Sequence, residues 1–544
     1  MNKVVVFGID GGSLKLIEEW KDKLPNFRQI MEEGSYGELE STIPPLTRPA
    51  WPCMFTGKNP GKLGMYDFIT IRPGQQYELG MHSSVDYHSA SLWKILNDYG
   101  RDVGLLNIPM TFPPHKVSSF MVCGMGSPET LKSNYTYPPS LKNMLDKLVG
   151  GYEIFPPIGA PAVGREERYL SILSETLDKR VKAAIYLMNH FSWDLFVCVF
   201  YVLDQIQHHF WHCMDENHPR HHTTKYQNVI RDFYQKVDTA IGALLKEIPS
   251  GANILVVSDH GFGGMHGNFA VNKWLEDNQF LKFRGKVHKD KINAVLYRTR
   301  TLLLTYINIG LLRFILRLLP KALVEKLAIL NEGKNRLTEL YKNIDWSRTK
   351  AYGLGSTGMI SVNLMGREPE GIVEPGEEYE ETRNDIISRL KKLVNPQTGE
   401  ALPIDVFKRE EVYHGQYTSQ APDILFLIDK YPQTIAVEGQ SQWVDLSRSE
   451  YLGWMGWHVQ QGVFMAYGPD IKRERLSDLK IYDIAPTILH MLGVPVPGDV
   501  DGRVLTEIFK PESKAGERPV VYQRVDERRR VMAKIKQLKN SGRI

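Results

Sequence analysis

The sequence predicts an α/β fold, with a doubly wound, mainly parallel sheet, helices on both faces and inserted cap or lid segments. Three apolar runs rich in β-branched residues predict strands: KVVVFGI, WDLFVCVFYVL and NILVVS. Continuous apolar runs of this length are typical of strands that are buried on both faces of a sheet. Helical stretches such as residues 167–191 lie between these runs. Strands that alternate with helices indicate a doubly wound layer.

Polar side chains follow each of these predicted strands. The first run leads to Asp10, the second to Asp204, and the third to Asp259 and His260. In an open α/β sheet the ligand site lies beyond the carboxyl ends of the strands. We therefore expect these side chains at one edge of the sheet. Further along the chain, GMISVNL, APDILFLI and GVFMAYG predict strands, and DIAPTILHMLGV predicts a helix.

The composition is that of an ordinary globular protein. The chain has 544 residues, of which 42% are hydrophobic and 24% are charged, and its mean hydropathy is −0.30. This length suffices for a large core or for one catalytic domain with insertions. The net charge of +4 suits anionic substrates or an anionic membrane surface, but it is too small to indicate binding of duplex nucleic acid.

Cysteine usage and the amino-terminal residues both favour a cytoplasmic protein. The four cysteines are scattered and form no CxxC pair, so neither a disulfide framework nor a thiolate zinc site is indicated. The apolar run in MNKVVVFGIDGG is too short for a signal peptide. We expect a cytoplasmic protein, with a peripheral position on the inner membrane face as the alternative.

The segment 300–327 is the reason for that alternative. It is strongly apolar but contains Arg300, Arg313 and Arg317, which argue against a clean membrane-spanning helix. We favour a helix packed within a lid, and a basic amphipathic helix on a membrane surface is the second interpretation. The basic tail, residues 511–544, would assist such a contact.

We divide the chain into one catalytic domain, residues 1–510, followed by the basic tail. The core of this domain is expected at about 1–65, 186–275 and 446–510, where the metal-type residues lie. Residues 66–185 and 276–445 are interpreted as insertions that form the cap or lid.

Aspartate and histidine residues in short motifs predict a metal site. Asp204 and His208 are four residues apart, so they point the same way if the strand turns into a helix there. His458 in GWHVQQG is a further candidate. Aspartate and histidine without cysteine suit Zn²⁺, Mn²⁺ or Fe²⁺ with open coordination positions. Each residue alone could belong to a turn, but turn chemistry hardly explains the whole set.

The stretch PPLTRPAWPCMFTG places Thr47 at the start of a predicted helix. The two prolines before it hold the chain extended, and Pro49 suits the first helical turn. A threonine in this position commonly caps the helix with its hydroxyl group. Beside a metal ion the same hydroxyl could instead become a nucleophile.

These motifs together resemble the alkaline phosphatase superfamily, and within it the type I phosphodiesterase/nucleotide pyrophosphatase branch with its predicted phosphohydrolases and phosphomutases. The nucleophile motif of that branch reads T-x-P, an apolar run, T-G and P-x-x-x-G, and TRPAWPCMFTGKNPGKLG follows that order. The resemblance covers nearly the whole core, because an ordered set of further motifs takes part in it. They are DQIQHHFW, SDHGFG, VNKWLEDNQFL, EGIVEPGEEYE, APDILFL and YDIAPTILHMLGVPVPGDVDGR.

The resemblance implies an alkaline-phosphatase-like fold and two divalent metal ions, with Zn²⁺ expected and Mn²⁺ or Fe²⁺ as alternatives. It also implies that Thr47 is the nucleophile and forms a phosphothreonine-type intermediate, which water then hydrolyses. The implied ligands are, for one ion, Asp10, Thr47, Asp259 and His260, and for the other ion Asp204, His208 and His458.

One position departs from the family pattern. Nucleotide pyrophosphatases carry an asparagine three residues after the threonine, where this chain has Ala50. We expect Arg48, through its guanidinium or its backbone N–H, to replace that contact with the phosphate. Sulfatases of the superfamily use a modified Cys or Ser in a CxPxR setting, which Thr47 does not fit.

We interpret the chain as a metal-dependent phosphoric ester hydrolase that prefers diesters or pyrophosphates to monoesters. Two alternatives stay open: a phosphotransferase or phosphomutase with the same site, and a membrane-surface hydrolase of lipid-linked phosphates. A non-catalytic metal-binding protein is less favoured, because the threonine and all the metal-type side chains are present. The expected partners are phosphorylated small molecules or lipid-linked substrates.

Overall fold

The computed structural model describes residues 3–67, 69–71, 79–81, 83–86, 89–128, 133–156, 161, 164–284, 341–353, 358–395, 399–430, 433–434, 444–445 and 454–524. None of the helices in these ranges is long and apolar enough to cross a membrane. The segment 300–327 and its two interpretations lie outside the described residues, as does most of the basic tail.

The strands are numbered in chain order over the described residues. They are β1 (Lys3–Ile9), β2 (Ser35–Glu40), β3 (Ile69–Ile71), β4 (Leu79–Met81), β5 (Val103–Ile108), β6 (Phe120–Cys123), β7 (Thr136–Tyr137), β8 (Leu195–Phe200), β9 (Ala252–Val257), β10 (Gly261–Gly264), β11 (Asn268–Ala270), β12 (Ala351–Gly353), β13 (Met359–Val362), β14 (Ile404–Lys408), β15 (Ile424–Ile428), β16 (Gln433–Thr434), β17 (Val444–Asp445), β18 (Gly456–Val459), β19 (Gln461–Tyr467), β20 (Glu474–Lys480), β21 (Val496–Pro497) and β22 (Tyr522–Gln523).

The α-helices are numbered in the same way. They are α1 (Leu14–Glu19), α2 (Pro25–Glu33), α3 (Thr47–Met54), α4 (Pro60–Leu63), α5 (Leu92–Asp98), α6 (Leu141–Val149), α7 (Glu166–His190), α8 (Val202–Met214), α9 (Val229–Leu245), α10 (Val271–Asp277), α11 (Glu377–Leu390), α12 (Arg409–Val412), α13 (Ile484–Met491) and α14 (Lys514–Glu517).

A nine-stranded sheet forms the centre of the molecule, in the order β20-β2-β19-β9-β1-β8-β5-β6-β7. From β9 to β6 the neighbouring strands are parallel, whereas β19 runs antiparallel to both β2 and β9. Most residues of β1, β8 and β9 are buried, as their continuous apolar runs predicted. The predicted α/β fold with a mainly parallel central sheet is confirmed.

Two parts of this sheet differ from the sequence interpretation. The second predicted strand ends early, at Phe200, and α8 begins at Val202, so Asp204 lies in the first helical turn. In addition, β5, β6 and β7 extend the central sheet, although they come from the segment 66–185 that we interpreted as an insertion. Their apolar runs are short, and short runs carry little information about which sheet a strand joins.

A second, smaller sheet has its own hydrophobic core. Strands β12, β13, β15 and β14 form this antiparallel sheet. Its core includes Trp274, Ile386 and Phe426 and is separate from the main core of the central sheet. The segment that follows β14 and α12 contacts the chain just before α3, because the Tyr413 hydroxyl donates a hydrogen bond to the Ile43 carbonyl.

The central sheet brings the predicted site residues to one edge. Strands β9, β1 and β8 are adjacent and parallel, so their carboxyl ends lie side by side. The residues that follow them are Asp259, Asp10 and, after the first residues of α8, Asp204. Sheet topology therefore explains why carboxylates far apart in sequence meet in space.

Candidate active site

Thr47 is the first residue of α3, and its hydroxyl does not cap that helix. The N-cap is Leu46, and no side chain makes a capping hydrogen bond there. Thr47 is buried, and its Oγ1 lies 3.3 Å from Nε2 of His260. The helix-capping interpretation of this threonine is therefore wrong, because the hydroxyl faces a histidine that follows β9.

The first turn of α3 also presents backbone donors beside that hydroxyl. The first helical bond runs from the Ala50 N–H to the Leu46 carbonyl, and Pro49 has no N–H. The backbone ladder of α3 therefore begins only at Ala50, and the N–H groups of the residues before it point out of the start of the helix. Such groups, together with the positive end of the helix dipole, favour an anion at this position.

Asp10 ties the end of β1 to α3. Its Oδ2 accepts a hydrogen bond of 3.1 Å from Nε1 of Trp51, which lies one turn after Thr47 in the same helix. Its Oδ1 lies 3.7 Å from Nε2 of His260. The carboxylate after the first strand and the threonine at the helix start thus approach the same imidazole nitrogen.

Asp259 and His260 complete this side of the site. The Gly11 N–H donates to Asp259 Oδ1 at 3.2 Å, while Asp259 Oδ2 lies 3.3 Å from Nε2 of His260. Both side chains are fully buried, and Asp259 Oδ2 accepts no hydrogen bond. A buried carboxylate oxygen without a donor is costly unless a cation faces it.

Asp204, His208 and His458 form the other side of the site. Asp204 Oδ1 lies 3.2 Å from Nε2 of His208 and 3.2 Å from Nε2 of His458. The two Nε2 atoms are only 3.1 Å apart. His458 reaches this position because β18 pairs with β10, which places it opposite Phe262.

The ring orientations of the three histidines favour metal binding through Nε2. Each Nδ1 faces a backbone carbonyl, which can only accept, so in the neutral imidazole Nδ1 carries the hydrogen and Nε2 presents a lone pair. This is the arrangement in which a carbonyl orients a metal-binding imidazole. The Nδ1 atoms of His208, His260 and His458 face the carbonyl oxygens of Gly456, Gly261 and Pro45 at 3.0, 3.1 and 3.1 Å, respectively.

The donor atoms fall into two overlapping groups that fit divalent cations. Within each group, the potential ligand atoms all lie within 4.8 Å of one another. Asp204 belongs to both groups, whereas the resemblance assigned it to one ion only. The Nε2 atoms of His208 and His458 lie 3.1 Å apart, and two buried carboxylate oxygens, Asp204 Oδ1 and Asp259 Oδ2, accept no hydrogen bond. These electron-rich atoms would repel each other without positive charge between them. The side chains present therefore fit the two divalent cations that the resemblance implies. The groups are Asp204, His208 and His458, and Asp10, Asp204 and His260.

Burial shifts the proton affinities of these side chains strongly. Burial, with the nearby charges of Asp259 and Asp204, raises the pKa of Asp10 well above its usual value. Burial raises the pKa of Asp259 to about 7. It lowers the pKa of His260 and of His458 to about 4. Asp10, Asp259, His260 and His458 thus favour their neutral forms, and a bound cation would reverse this for the two carboxylates. Asp204 differs: burial raises its pKa, but His208 and His458 outweigh burial and hold it well below its usual value.

Aromatic rings enclose the histidines of the site. Trp454 stacks on His208 with 4.5 Å between ring centroids, and Phe262 meets the same ring edge-on at 4.8 Å. His260 and His458 stack on each other at 3.7 Å. These apolar faces exclude water around the histidines, which strengthens electrostatic interactions at the site.

Arg48 is buried next to Thr47 in the first turn of α3. Burial lowers the pKa of Arg48 to about 10, and the negative charge of Asp67 opposes this effect. At neutral pH the guanidinium keeps its positive charge. Its contact with phosphate stays a prediction.

Sequence reasoning missed several side chains that hold the site together. Trp51 carries a recognisable signal, because it lies four residues after Thr47 and hence on the same helix face. Gln207 and Trp454 carry none, since nothing in the local pattern distinguishes them from ordinary core residues. The pairing of β18 with β10 was also missed, although it positions His458.

Comparisons with solved structures give distant matches. One is the murine ectonucleotide pyrophosphatase/phosphodiesterase 5, an inactive variant in complex with AMP, with 12% identity, a TM-score of 0.48, and coverage of 91% of this chain and 96% of that chain. Another is the human ectonucleotide pyrophosphatase/phosphodiesterase 5, with 13% identity, a TM-score of 0.48, and coverage of 91% and 95%. No curated protein matches the chain.

A family model gives the decisive comparison. The model described as type I phosphodiesterase/nucleotide pyrophosphatase matches residues 4–451. This range contains Asp10, Thr47, Asp204 and Asp259, and it ends before His458. The chain therefore belongs to the type I phosphodiesterase/nucleotide pyrophosphatase family and is a phosphoric ester hydrolase.

Proposed function

We propose that this enzyme cleaves phosphoric diesters or pyrophosphates with Thr47 as its nucleophile and two divalent cations, preferably Zn²⁺, as cofactors. One observation carries the proposal. The Thr47 hydroxyl is not used for capping and lies 3.3 Å from Nε2 of His260, within the group of buried carboxylates and imidazoles. A threonine at an exposed helix start would have no such surroundings.

The chain offers ligands for both cations. Asp10, Thr47, Asp259 and His260 would surround one, and Asp204, His208 and His458 the other, with Asp204 close to both groups. When bound, the cations would favour the alkoxide of threonine, activate a water molecule and stabilise charge on the phosphate oxygens. The pattern of Asp and His without Cys suits zinc, with Mn²⁺ or Fe²⁺ as alternatives.

The residues of the chain account for the rest of the reaction. The N–H groups of Thr47 and Arg48 at the start of α3, with the Arg48 guanidinium, bind the phosphate oxygens. Thr47 Oγ1 gives its proton to solvent and forms a bond to phosphorus as the bond from phosphorus to one ester or bridging oxygen of the substrate breaks. The leaving oxygen takes a proton from solvent, and the rest of the substrate stays on Thr47 as a phosphoryl ester. A water molecule then attacks this phosphorus and gives up a proton, and a phosphate monoester is released as the Thr47 oxygen leaves and regains its proton.

Two isosteric substitutions test this role. Thr47→Val removes the nucleophile, and Thr56→Val removes the hydroxyl of another buried threonine, which only donates to backbone carbonyls at the end of α3. With bis-p-nitrophenyl phosphate and Zn²⁺ or Mn²⁺, we expect Thr47→Val to lower kcat by about 10³-fold or more. Thr56→Val should keep most of the activity, and equal activities of the two variants would contradict the proposal.

The same assay compares the substrate classes. We expect bis-p-nitrophenyl phosphate and nucleotide diesters to react faster than p-nitrophenyl phosphate, and a faster monoester would contradict the preference for diesters. After reaction with bis-p-nitrophenyl phosphate, acid-quenched enzyme should carry a p-nitrophenylphosphoryl group on the peptide that contains Thr47, which mass spectrometry detects. Transfer of that group to an added alcohol in preference to water would identify a phosphotransferase instead.

A further inference from the structure

We propose that Gln207 is a positioning residue that couples the two ligand groups of the site. The inference rests on the proposed two-cation function and adds a residue that touches neither group directly through its side chain. Gln207 lies in α8 between Asp204 and His208 and is fully buried. Its side-chain amide reaches across to the turn that follows β1.

The bonds of Gln207 join α8 to that turn. Its Nε2 donates to the Gly11 carbonyl at 2.8 Å and to the Leu203 carbonyl at 2.9 Å. Its Oε1 accepts from the Tyr234 hydroxyl at 3.1 Å. Both acceptors of Nε2 are carbonyl oxygens, so the orientation of the amide is fixed by its partners.

Gly11 is the point where both sides of the site meet. Its N–H donates to Asp259 Oδ1, while its carbonyl accepts from Gln207. Its φ is +69°, and a Cβ at this position would lie 3.2 Å from the Cα of Asp204. A shift of this one peptide would therefore move Asp259 relative to Asp204. In the proposed function these two carboxylates hold different cations.

Tyr234 holds the other end of the connection. Its hydroxyl accepts a bond of 3.0 Å from the Ser13 N–H and donates to Gln207, and the residue is fully buried in α9. The hydrogen-bond chain thus runs from Ser13 through Tyr234 and Gln207 to Gly11. Both ends of the turn after β1 are therefore held by side chains, one from α8 and one from α9.

This connection has a specific consequence for metal binding. Without the Gln207 amide, the carbonyls of Gly11 and Leu203 lose a buried donor and the turn can relax away from α8. Partners that orient metal ligands typically change metal affinity by about 10–100-fold. Because Gln207 joins the two groups, its loss should weaken the cooperation between the two ions.

The test compares Gln207→Leu with Asn253→Leu. Asn253 is also a fully buried amide, bonded to Asp470 through both its nitrogen and its oxygen, but it lies at the amino end of β9, away from the site. Each metal-free protein is titrated with Mn²⁺ without substrate, by calorimetry and electron paramagnetic resonance. Two ions held close together give a spin-coupled spectrum, and isolated ions do not.

We expect wild type and Asn253→Leu to bind two ions with a spin-coupled spectrum. Gln207→Leu should bind the second ion about 10–100-fold more weakly and show mainly isolated ions at partial loading. Tyr234→Phe keeps the bond between Gln207 and Gly11 and should give a smaller loss. The second variant preserves a test if Gln207→Leu folds poorly.

The outcomes separate the two hypotheses. Failure of the wild-type protein to bind a pair of ions would overturn the proposed function itself. A normal pair in wild type together with unchanged affinities and coupling in Gln207→Leu and Tyr234→Phe would overturn only the role of Gln207. Equal losses in Gln207→Leu and Asn253→Leu would mean that a general loss of stability is the cause, and would also overturn it.

Discussion

Two fully buried aspartates, one in each sheet region, have opposite surroundings. Asp423, beside the smaller sheet, accepts hydrogen bonds from Arg367, Arg409 and the Tyr379 hydroxyl at 2.6–2.8 Å. Asp259, at the edge of the central sheet, accepts a bond from the Gly11 N–H at Oδ1, and its Oδ2 accepts none. Both side chains are equally inaccessible to water.

Their proton affinities follow these surroundings. Burial raises the pKa of Asp423, but the bonds and charges of Arg367 and Arg409 outweigh burial and hold it below its usual value. Burial raises the pKa of Asp259 to about 7, because no arginine compensates its charge. Burial alone therefore does not mark a functional carboxylate. A buried carboxylate that the protein leaves without a counter-charge does.

The largest expected effects come from replacing each of the two aspartates by asparagine. Asp259→Asn should lower hydrolysis by about 10³-fold or more, because it removes a ligand from the site. In the metal-free protein at pH 7 it should raise the free energy of unfolding, because burial raises the pKa of Asp259 from 3.8 to about 7, whereas the unfolded chain ionises this carboxyl freely, and asparagine removes that cost. Enzyme assays and denaturant unfolding measure the two quantities.

Asp423→Asn should show the reverse pattern. It leaves Arg367 and Arg409 without their shared counter-charge and should destabilise the protein by about 3 kcal/mol. At denaturant concentrations below its unfolding transition, the metal affinity of this variant should stay within a few-fold of the wild-type affinity. The comparison fails if Asp259→Asn destabilises the metal-free protein as much as Asp423→Asn does.

Arg48→Ala is expected to have the next largest effect. If the guanidinium stabilises the phosphate in the transition state, its removal should lower kcat by about 100-fold while the number of bound metal ions stays the same. Turnover and metal content, measured on one preparation, separate these effects. Unchanged turnover would show that Arg48 does not replace the phosphate contact of the asparagine that nucleotide pyrophosphatases carry at the position of Ala50.

The sequence was sufficient where local patterns carry the information. The runs before Asp10 and Asp259 are buried strands that end where polarity changes, and their parallel pairing brings the carboxylates together. Pro49 and the apolar residues after Thr47 correctly predicted a helix start. These features depend on burial and on short-range geometry, which residue patterns record directly.

Other features depend on contacts between distant parts of the chain. The antiparallel insertion of β19 between β2 and β9 and the pairing of β18 with β10 could not be predicted, because register between remote strands leaves no local pattern. The same holds for Asp204, which lies close to both ligand groups, and for the bond from Gln207 to Gly11. Thr47 shows the limit most clearly, since only the structure, which places its hydroxyl 3.3 Å from His260 Nε2 and not in a capping bond, argues against the helix-cap interpretation.

The smallest expected effect concerns pH, and it follows from the same aspartate comparison. In the metal-free protein Asp259 is protonated below about pH 7, and the pKa of Asp10 is also raised. A cation must displace these protons, so metal affinity should fall by about tenfold per pH unit below pH 7 for each proton released. His260 and His458, with pKa values of about 4, are already neutral in this range and do not compete with the cation for protons.

Calorimetry at pH 6 and pH 8, in buffers of different ionisation enthalpy, measures both metal affinity and proton release. Asp259→Asn should release fewer protons than wild type. An affinity that is constant or rises as the pH falls from 8 to 6 would mean that the Asp259 carboxyl is already ionised without metal, and its contrast with Asp423 would lose its basis.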